Sequence, residues 1–150
     1  MAGARKHREL DVWKLAFEAR VRVRRICQRP GFREHLWLRS QLWRASNSAC
    51  TNTAEGFGRY YPKEFSRYLG IEKSSLLEIE EHLSDVAELN LATAEELSEI
   101  VRYARRAGGA ANRLMAYLST AKPPPFPPRR RRDARKNDGP ADRSGSDEDL

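Results

Sequence analysis

The positions of the prolines constrain the fold of this chain more than any other feature. Six of the eight prolines lie at or beyond residue 123, and only Pro30 and Pro62 precede them. Because proline removes a helical hydrogen bond and clashes with the preceding turn, long stretches without it are free to form helices. The distribution therefore predicts an all-α domain followed by a proline-rich tail.

Apolar periodicity places four helices at about residues 10–29, 34–59, 62–90 and 93–120. The third is the most regular, with seam positions that alternate at spacings of four and three from Phe65 to Asn90. Pro62 suits a first helical turn, Asn90 tolerates the left-handed conformation that ends many helices, and Thr93 with Glu96 has the capping-box pattern. Four long helices with short connections predict an antiparallel, up-down four-helix bundle over residues 10–121. The apolar arc of the first helix is wider than a monomer core needs, which favours a homo-oligomer.

Positive charge is concentrated at the front of the chain. The formal net charge is +7, and residues 1–44 hold 12 basic and 4 acidic side chains, whereas residues 61–92 hold 3 and 7. A surface of this kind is typical of proteins that meet a polyanion. The candidate nucleic-acid-binding residues are arginines of the first helix and of the tail: Arg20, Arg22, Arg24, Arg25, Arg29, Arg129, Arg130, Arg131 and Arg132. The alternative is a solvated basic helix that pairs with the acidic third segment, with a tail that only solubilises.

Two segments flank the bundle. Residues 1–9 form a basic N-terminal arm. Residues 122–150 change from proline- and arginine-rich to acidic and contain very few large apolar side chains. Such a segment cannot bury enough surface to offset the entropy of ordering, so we expect it to be disordered.

The stretch NTAEGFGR, residues 52–59, carries two glycines near the predicted end of the second helix. It lacks the Gly-Lys-Ser/Thr of a phosphate loop and follows no strand, so we interpret it as a site of close helix packing. Glu72 lies on the seam of the third helix, where a charge needs a partner such as Arg20, Arg24 or Arg44. We predict a structural polar network with Arg44 as its charged member. Its residues are Arg44, Asn52, Glu55 and Glu72.

Chemistry-bearing residues are sparse. Two cysteines and three histidines are scattered without the spacing of a metal site, and the Glu-x-x-His pairs of di-iron bundles do not occur. We therefore expect no catalytic residue, metal or cofactor; an enzyme that works at Glu55 or Glu72 is the alternative. The N-terminus has no apolar signal region and no apolar run approaches about 20 residues, so we expect a cytoplasmic protein without membrane contact.

Several motifs resemble one bacterial family when they are taken in order. They are LDVWKLA at residues 10–16, RSQLWRA at 39–45, NTAEGFGR at 52–59, KEFSRYL at 63–69 and SSLLEIEEHL at 74–83. Together they resemble the four-helix-bundle proteins encoded in intervening sequences of 23S ribosomal RNA genes, over about residues 8–120. The resemblance implies a homopentamer, and a likeness in fold to the accessory variability protein of diversity-generating retroelements, which associates with a reverse transcriptase and nucleic acid. It implies no enzymatic activity.

The sequence therefore predicts a non-enzymatic, homo-oligomeric bundle that binds RNA or DNA through its basic first helix and tail. Because no base-reading motif is present, binding should tolerate sequence and depend on salt. A reverse transcriptase or another nucleic-acid enzyme is the expected partner. The alternative is a purely structural scaffold for a protein partner, with no binding of nucleic acid.

Overall fold

Four helices account for most of the chain in the computed structural model, which describes residues 3–59 and 61–123. They are α1 (Asp11–Cys27), α2 (Leu36–Phe57), α3 (Pro62–Glu88) and α4 (Ala94–Thr120). Short 3-10 turns precede α1 at His7–Glu9 and α2 at Pro30–Glu34. The described residues contain no strand, which confirms the all-α prediction. The predicted disorder of residues 124–150 concerns a segment outside the described residues.

The ends of α3 and α4 follow from local chemistry. Pro62 occupies the first turn of α3. Asn90 adopts φ 53°, the left-handed conformation that asparagine tolerates better than most residues. The Leu91 N–H then donates to the Val86 carbonyl at 3.0 Å, which satisfies a carbonyl of the last turn. Thr93 and Glu96 form a complete capping box at the start of α4, as their spacing predicts.

The core runs the length of the bundle and uses the predicted seam of α3. Seven seam positions of α3 are buried, and Asn90, the last predicted one, is exposed because the helix has already ended. A large cluster contains fully buried side chains of every helix, among them Val23, Leu42, Ile79 and Ile100. A smaller cluster joins α1, α3 and α4 around Val12, Leu69 and Ala111. Each helix packs mainly on two others: α1 and α3 both contact α2 and α4.

The small residues of α2 allow it to approach α3 closely. A Cβ on Gly56 would lie 2.5 Å from Cδ2 of Phe65 and 2.8 Å from Cβ of Tyr68, so only glycine fits there without a shift. Further along, the Ser75 hydroxyl of α3 donates to the Ser48 hydroxyl of α2 at 2.8 Å. The glycine-bearing end of NTAEGFGR is thus a helix contact, as interpreted from sequence.

Within the described ranges, no helix has a sufficiently long apolar stretch to cross a lipid bilayer.

Candidate nucleic-acid interface

Two of the candidate arginines, Arg22 and Arg29, pair with glutamates of α4. Arg22 contacts Glu18 on its own helix and Glu99 of α4, with Nε 3.0 Å from the Glu99 carboxylate. Arg29 makes a two-pronged contact with Glu96, in which Nη1 donates to Oε2 at 2.9 Å. That arginine and the capping Thr93 backbone hold the pKa of Glu96 down to about 2. Two predicted phosphate binders are therefore engaged in joining α1 to α4.

Two more arginines of α1 lie on aromatic rings near α2. The Arg24 guanidinium sits 4.2 Å from the ring centre of Trp43, and that of Arg20 sits 5.1 Å from the ring centre of Phe17. The Nε of Arg20 is buried and has no hydrogen-bond partner in the described part of the chain. Arg25 is exposed and makes no ion pair with any described residue, so it alone matches the expected free cation. Arg129, Arg130, Arg131 and Arg132 lie outside the described residues.

A groove between the start of α1 and the middle of α4 contains cations that are not among the predicted site residues. Its volume is about 650 Å³, and its charged lining consists of Lys14, Arg105, Arg106, Arg113 and one acid, Asp11. We call it the basic groove. Arg105 contacts Glu80 of α3 at 3.0 Å, and Lys14 lies 4.0 Å from Asp11. Arg106 and Arg113 are exposed, and neither has a carboxylate partner in residues 3–59 and 61–123.

A helical wheel of α4 carries a signal for this groove. At about 100° per residue, Arg102, Arg106 and Arg113 fall within about 40° of one another. Arg102 lies 3.8 Å from Glu99, and Arg106 lies 5.9 Å from the Tyr103 ring centre. Arg106 and Arg113 are the members of the row without a carboxylate partner in the described residues. The spacing of these three arginines on the outer face of α4 is therefore a signal that the sequence alone contains.

The structure does not bring the four members of the predicted polar network together. Arg44 donates to Gln41 and to Glu78 of α3 at 2.9 Å, and Glu55 pairs with Arg59 one turn later. Asn52 donates to the Ser48 hydroxyl at 2.9 Å, and through that hydroxyl it is linked to α3. Asn52 itself therefore bonds only within α2 and reaches α3 indirectly through Ser48, and Arg44 and Glu55 belong to separate surface contacts.

Glu72 is completely buried without the arginine partner that the sequence suggested. Neither of its carboxyl oxygens has a hydrogen-bond partner in the described residues. Burial raises its pKa from 4.5 to about 8, although the nearby Thr53 hydroxyl lowers it somewhat. Thr53 itself donates to the Ala49 carbonyl at 3.3 Å. Burial of Glu72 thus favours the neutral carboxylic acid, which is far less costly to bury than a carboxylate.

The two cysteines and the possible metal ligands do not form a recognisable reactive site in the described residues. Burial raises the pKa of the Cys27 and Cys50 thiols to about 11, so both are protonated at neutral pH. No cluster of three or more His, Cys, Asp or Glu side chains suited to a metal ion occurs in the part of the chain that the structure describes.

Comparison with known proteins places the chain in one family. The model of the 23S rRNA-intervening sequence protein family matches residues 8–112, which include α1 to α3 and most of α4. A search of curated proteins finds no match. The family match covers well over half of the 150 residues and agrees with the resemblance of the five sequence motifs. The chain therefore belongs to the 23S rRNA-intervening sequence protein family.

Proposed function

We propose that this protein is a non-enzymatic, cytoplasmic four-helix bundle that binds RNA or DNA electrostatically, with the basic groove as the centre of the interface. The observation that carries the proposal is the convergence of four cations on one groove, of which Arg106 and Arg113 lack a carboxylate partner in the described residues. Unpaired, exposed arginines keep their full charge for phosphate groups, whereas Arg22 and Arg29 are already neutralised. Arg25 supplies a further free cation on α1.

The same proposal includes the assembly. We infer an up-down antiparallel order, supported by contacts between the first half of one helix and the second half of its neighbour. Arg44 of α2 contacts Glu78 of α3 in this way, and Glu99 of α4 contacts Arg22 of α1. The resemblance favours a homopentamer, and a reverse transcriptase or similar enzyme as the protein partner. The burial of Glu72 speaks against an enzyme that works at this residue, because substrate has no access to a side chain with 0% exposure.

Salt-dependent binding tests the proposal. Affinity for structured RNA and for duplex DNA should fall steeply with salt, and the double change Arg106→Glu with Arg113→Glu should reduce the logarithmic salt slope by about 2. Arg39→Glu is the matched control, because Arg39 is an exposed arginine of α2 whose charge acts on Cys27 at the end of α1. Cys27 is about 20 Å along α1 from Lys14, so Arg39 lies far from the basic groove. No affinity at low salt, or an equal loss in the control, would remove the proposal.

A second candidate, a scaffold for a protein partner, is favoured by an apolar patch at the start of α2. Leu36 is 60% exposed and Trp37 is 64% exposed, and they line a groove with the acidic side chains Glu34, Asp85 and Glu88. Exposed apolar surface with a polar rim is typical of protein interfaces. Capture of one partner from nuclease-treated extract should then be lost with Trp37→Ala and retained with the Arg106 and Arg113 changes. The reverse pattern favours nucleic acid.

A further inference from the structure

A second groove lies on the opposite side of α1, where the helix packs on α2. Its volume is about 390 Å³, within the range of about 300–1,000 Å³ typical of ligand sites. Its lining includes His7, Arg8, Trp13, Phe17 and Arg20 from the start of the chain, and Thr51 from α2. We call it the aromatic groove. No acidic side chain is part of this lining among the described residues.

The side chains of the aromatic groove form a stack. The Trp13 and Phe17 rings are 4.9 Å apart at an interplanar angle of 17°, so they are nearly parallel. The Arg8 guanidinium lies 5.5 Å from the Trp13 ring centre, and the Arg20 guanidinium lies 5.1 Å from that of Phe17. Both rings are partly exposed. Two flat apolar faces are thus bracketed by two cations.

Arg20 also offers an unused hydrogen-bond donor. Its buried Nε has no hydrogen-bond partner in residues 3–59 and 61–123, and the one side-chain acceptor beside its guanidinium, Cys50, is a thiol and hence a weak acceptor. A buried donor without an acceptor is costly, so a ligand oxygen at this position would remove a penalty that the free protein carries. The groove therefore favours a ligand that has a flat aromatic part and a negative charge.

We propose that the aromatic groove binds an unpaired nucleobase of single-stranded RNA or DNA. The base takes the place of the Arg8 guanidinium on the outer face of Trp13, and the flanking phosphates contact Arg8 and Arg20. Aromatic and cationic side chains together are the recurring platform for single strands, because every base has a π-face and every nucleotide has a charge. The inference rests on the proposed function and sharpens it: α1 separates the two grooves, so a strand that crosses its first turns reaches Lys14 on one side and Trp13 on the other.

The test compares single strands with a duplex at one low salt concentration. Labelled oligouridylate, oligothymidylate and a blunt duplex DNA are titrated with the full chain by fluorescence anisotropy. We expect Trp13→Ala and Phe17→Ala to weaken single-strand binding about 10-fold while duplex binding is unchanged. Trp13→Leu keeps apolar volume and provides a readout if the alanine variant fails to fold, as judged by circular dichroism. Tyr117→Leu is the matched control, because Tyr117 is an exposed aromatic side chain of α4 that lines neither groove.

The outcomes separate this inference from the proposed function. A selective loss in either single-stranded arm supports the inference, and a loss confined to RNA assigns the contact to the ribose as well as the base. Unchanged single-strand affinity in the Trp13 and Phe17 variants, with salt-dependent binding intact, overturns the inference alone. A wild-type chain that binds none of the three probes overturns both proposals. A lower molecular mass in solution for Trp13→Leu shows that a second copy of the chain covers the groove, which also overturns the inference.

Discussion

Ionisation of Glu72 should make the stability of this protein depend on pH in an unusual direction. Its carboxyl has 0% exposure and a pKa raised by burial from 4.5 to about 8. Between these two values the folded chain keeps a proton that the unfolded chain has released. Stability is therefore fully present below about pH 4.5 and is lost as pH rises toward 8. At about 1.4 kcal/mol per pH unit, the loss reaches about 5 kcal/mol across the window.

The change Glu72→Gln isolates this effect, because glutamine has the same shape as the protonated acid and does not titrate. Urea unfolding at a series of pH values should give a wild-type curve that falls relative to the variant between pH 4.5 and 8. Near the acid end the two proteins should differ least. Glu55→Gln is the control, because it makes the same chemical change at an exposed carboxylate, which pairs with Arg59.

Parallel stability curves for wild type and Glu72→Gln would refute the reasoning. They would mean that the folded state holds Glu72 as a carboxylate, with a cation or hydrogen bonds that offset its burial. Arg20 is the nearest candidate for such a cation, since both it and Glu72 act on the pKa of Cys50. If wild type shows the slope and the Arg20→Gln variant has a flat stability curve, the titrating group is not Glu72 alone.

Three further predictions concern packing, capping and thiol chemistry. Gly56→Ala should destabilise the fold by about 1–3 kcal/mol in urea unfolding, because the added Cβ would lie 2.5 Å from a side chain of α3. Gly108→Ala should stabilise the fold by about 1 kcal/mol, because no atom lies within 4 Å of the added Cβ and alanine favours the helix. A loss of stability at both positions would contradict the packing argument. Thr93→Ala should cost about 1 kcal/mol by the same measurement, and Thr93→Ser should restore most of it, since either hydroxyl caps α4. Cys27 and Cys50, buried with pKa values of about 11, should react with a thiol reagent at pH 8 only after denaturant is added; rapid labelling of the folded chain would show that the core opens.

The helices and their ends could be predicted from sequence because local chemistry determines them. The 4–3 spacing of α3, the left-handed Asn90 and the Thr93–Glu96 box all act within a few residues, and the structure has each of them. The close approach at Gly56 was predicted for a related reason, since a small residue near a helix end has few other uses. Residues beyond 123 leave the tail predictions untested.

The candidate site was harder to predict, because a helical wheel shows which residues share a face of one helix but not which helix packs against that face. Arg22 and Arg29 were predicted to bind phosphate, yet the folded chain pairs both with glutamates of α4. The basic groove needs Lys14 and Arg113, which are far apart in sequence and become neighbours only through packing. Glu72 lies on the seam as predicted, but no arginine pairs with it in the described residues, and burial instead raises its pKa to about 8.

The basic groove has a consequence for the order of events during synthesis. Its cations come from the first helix and the last, so a ribosome releases Lys14 long before it has made Arg106 and Arg113. A growing chain therefore presents the charge of α1 without the groove, and the glutamates that neutralise Arg22 and Arg29 are also absent until α4 emerges. Lys14 of α1 therefore belongs to a defined groove only in the finished protein. Any polyanion that prefers the shaped surface stabilises the completed fold and acts as a ligand only after translation of α4.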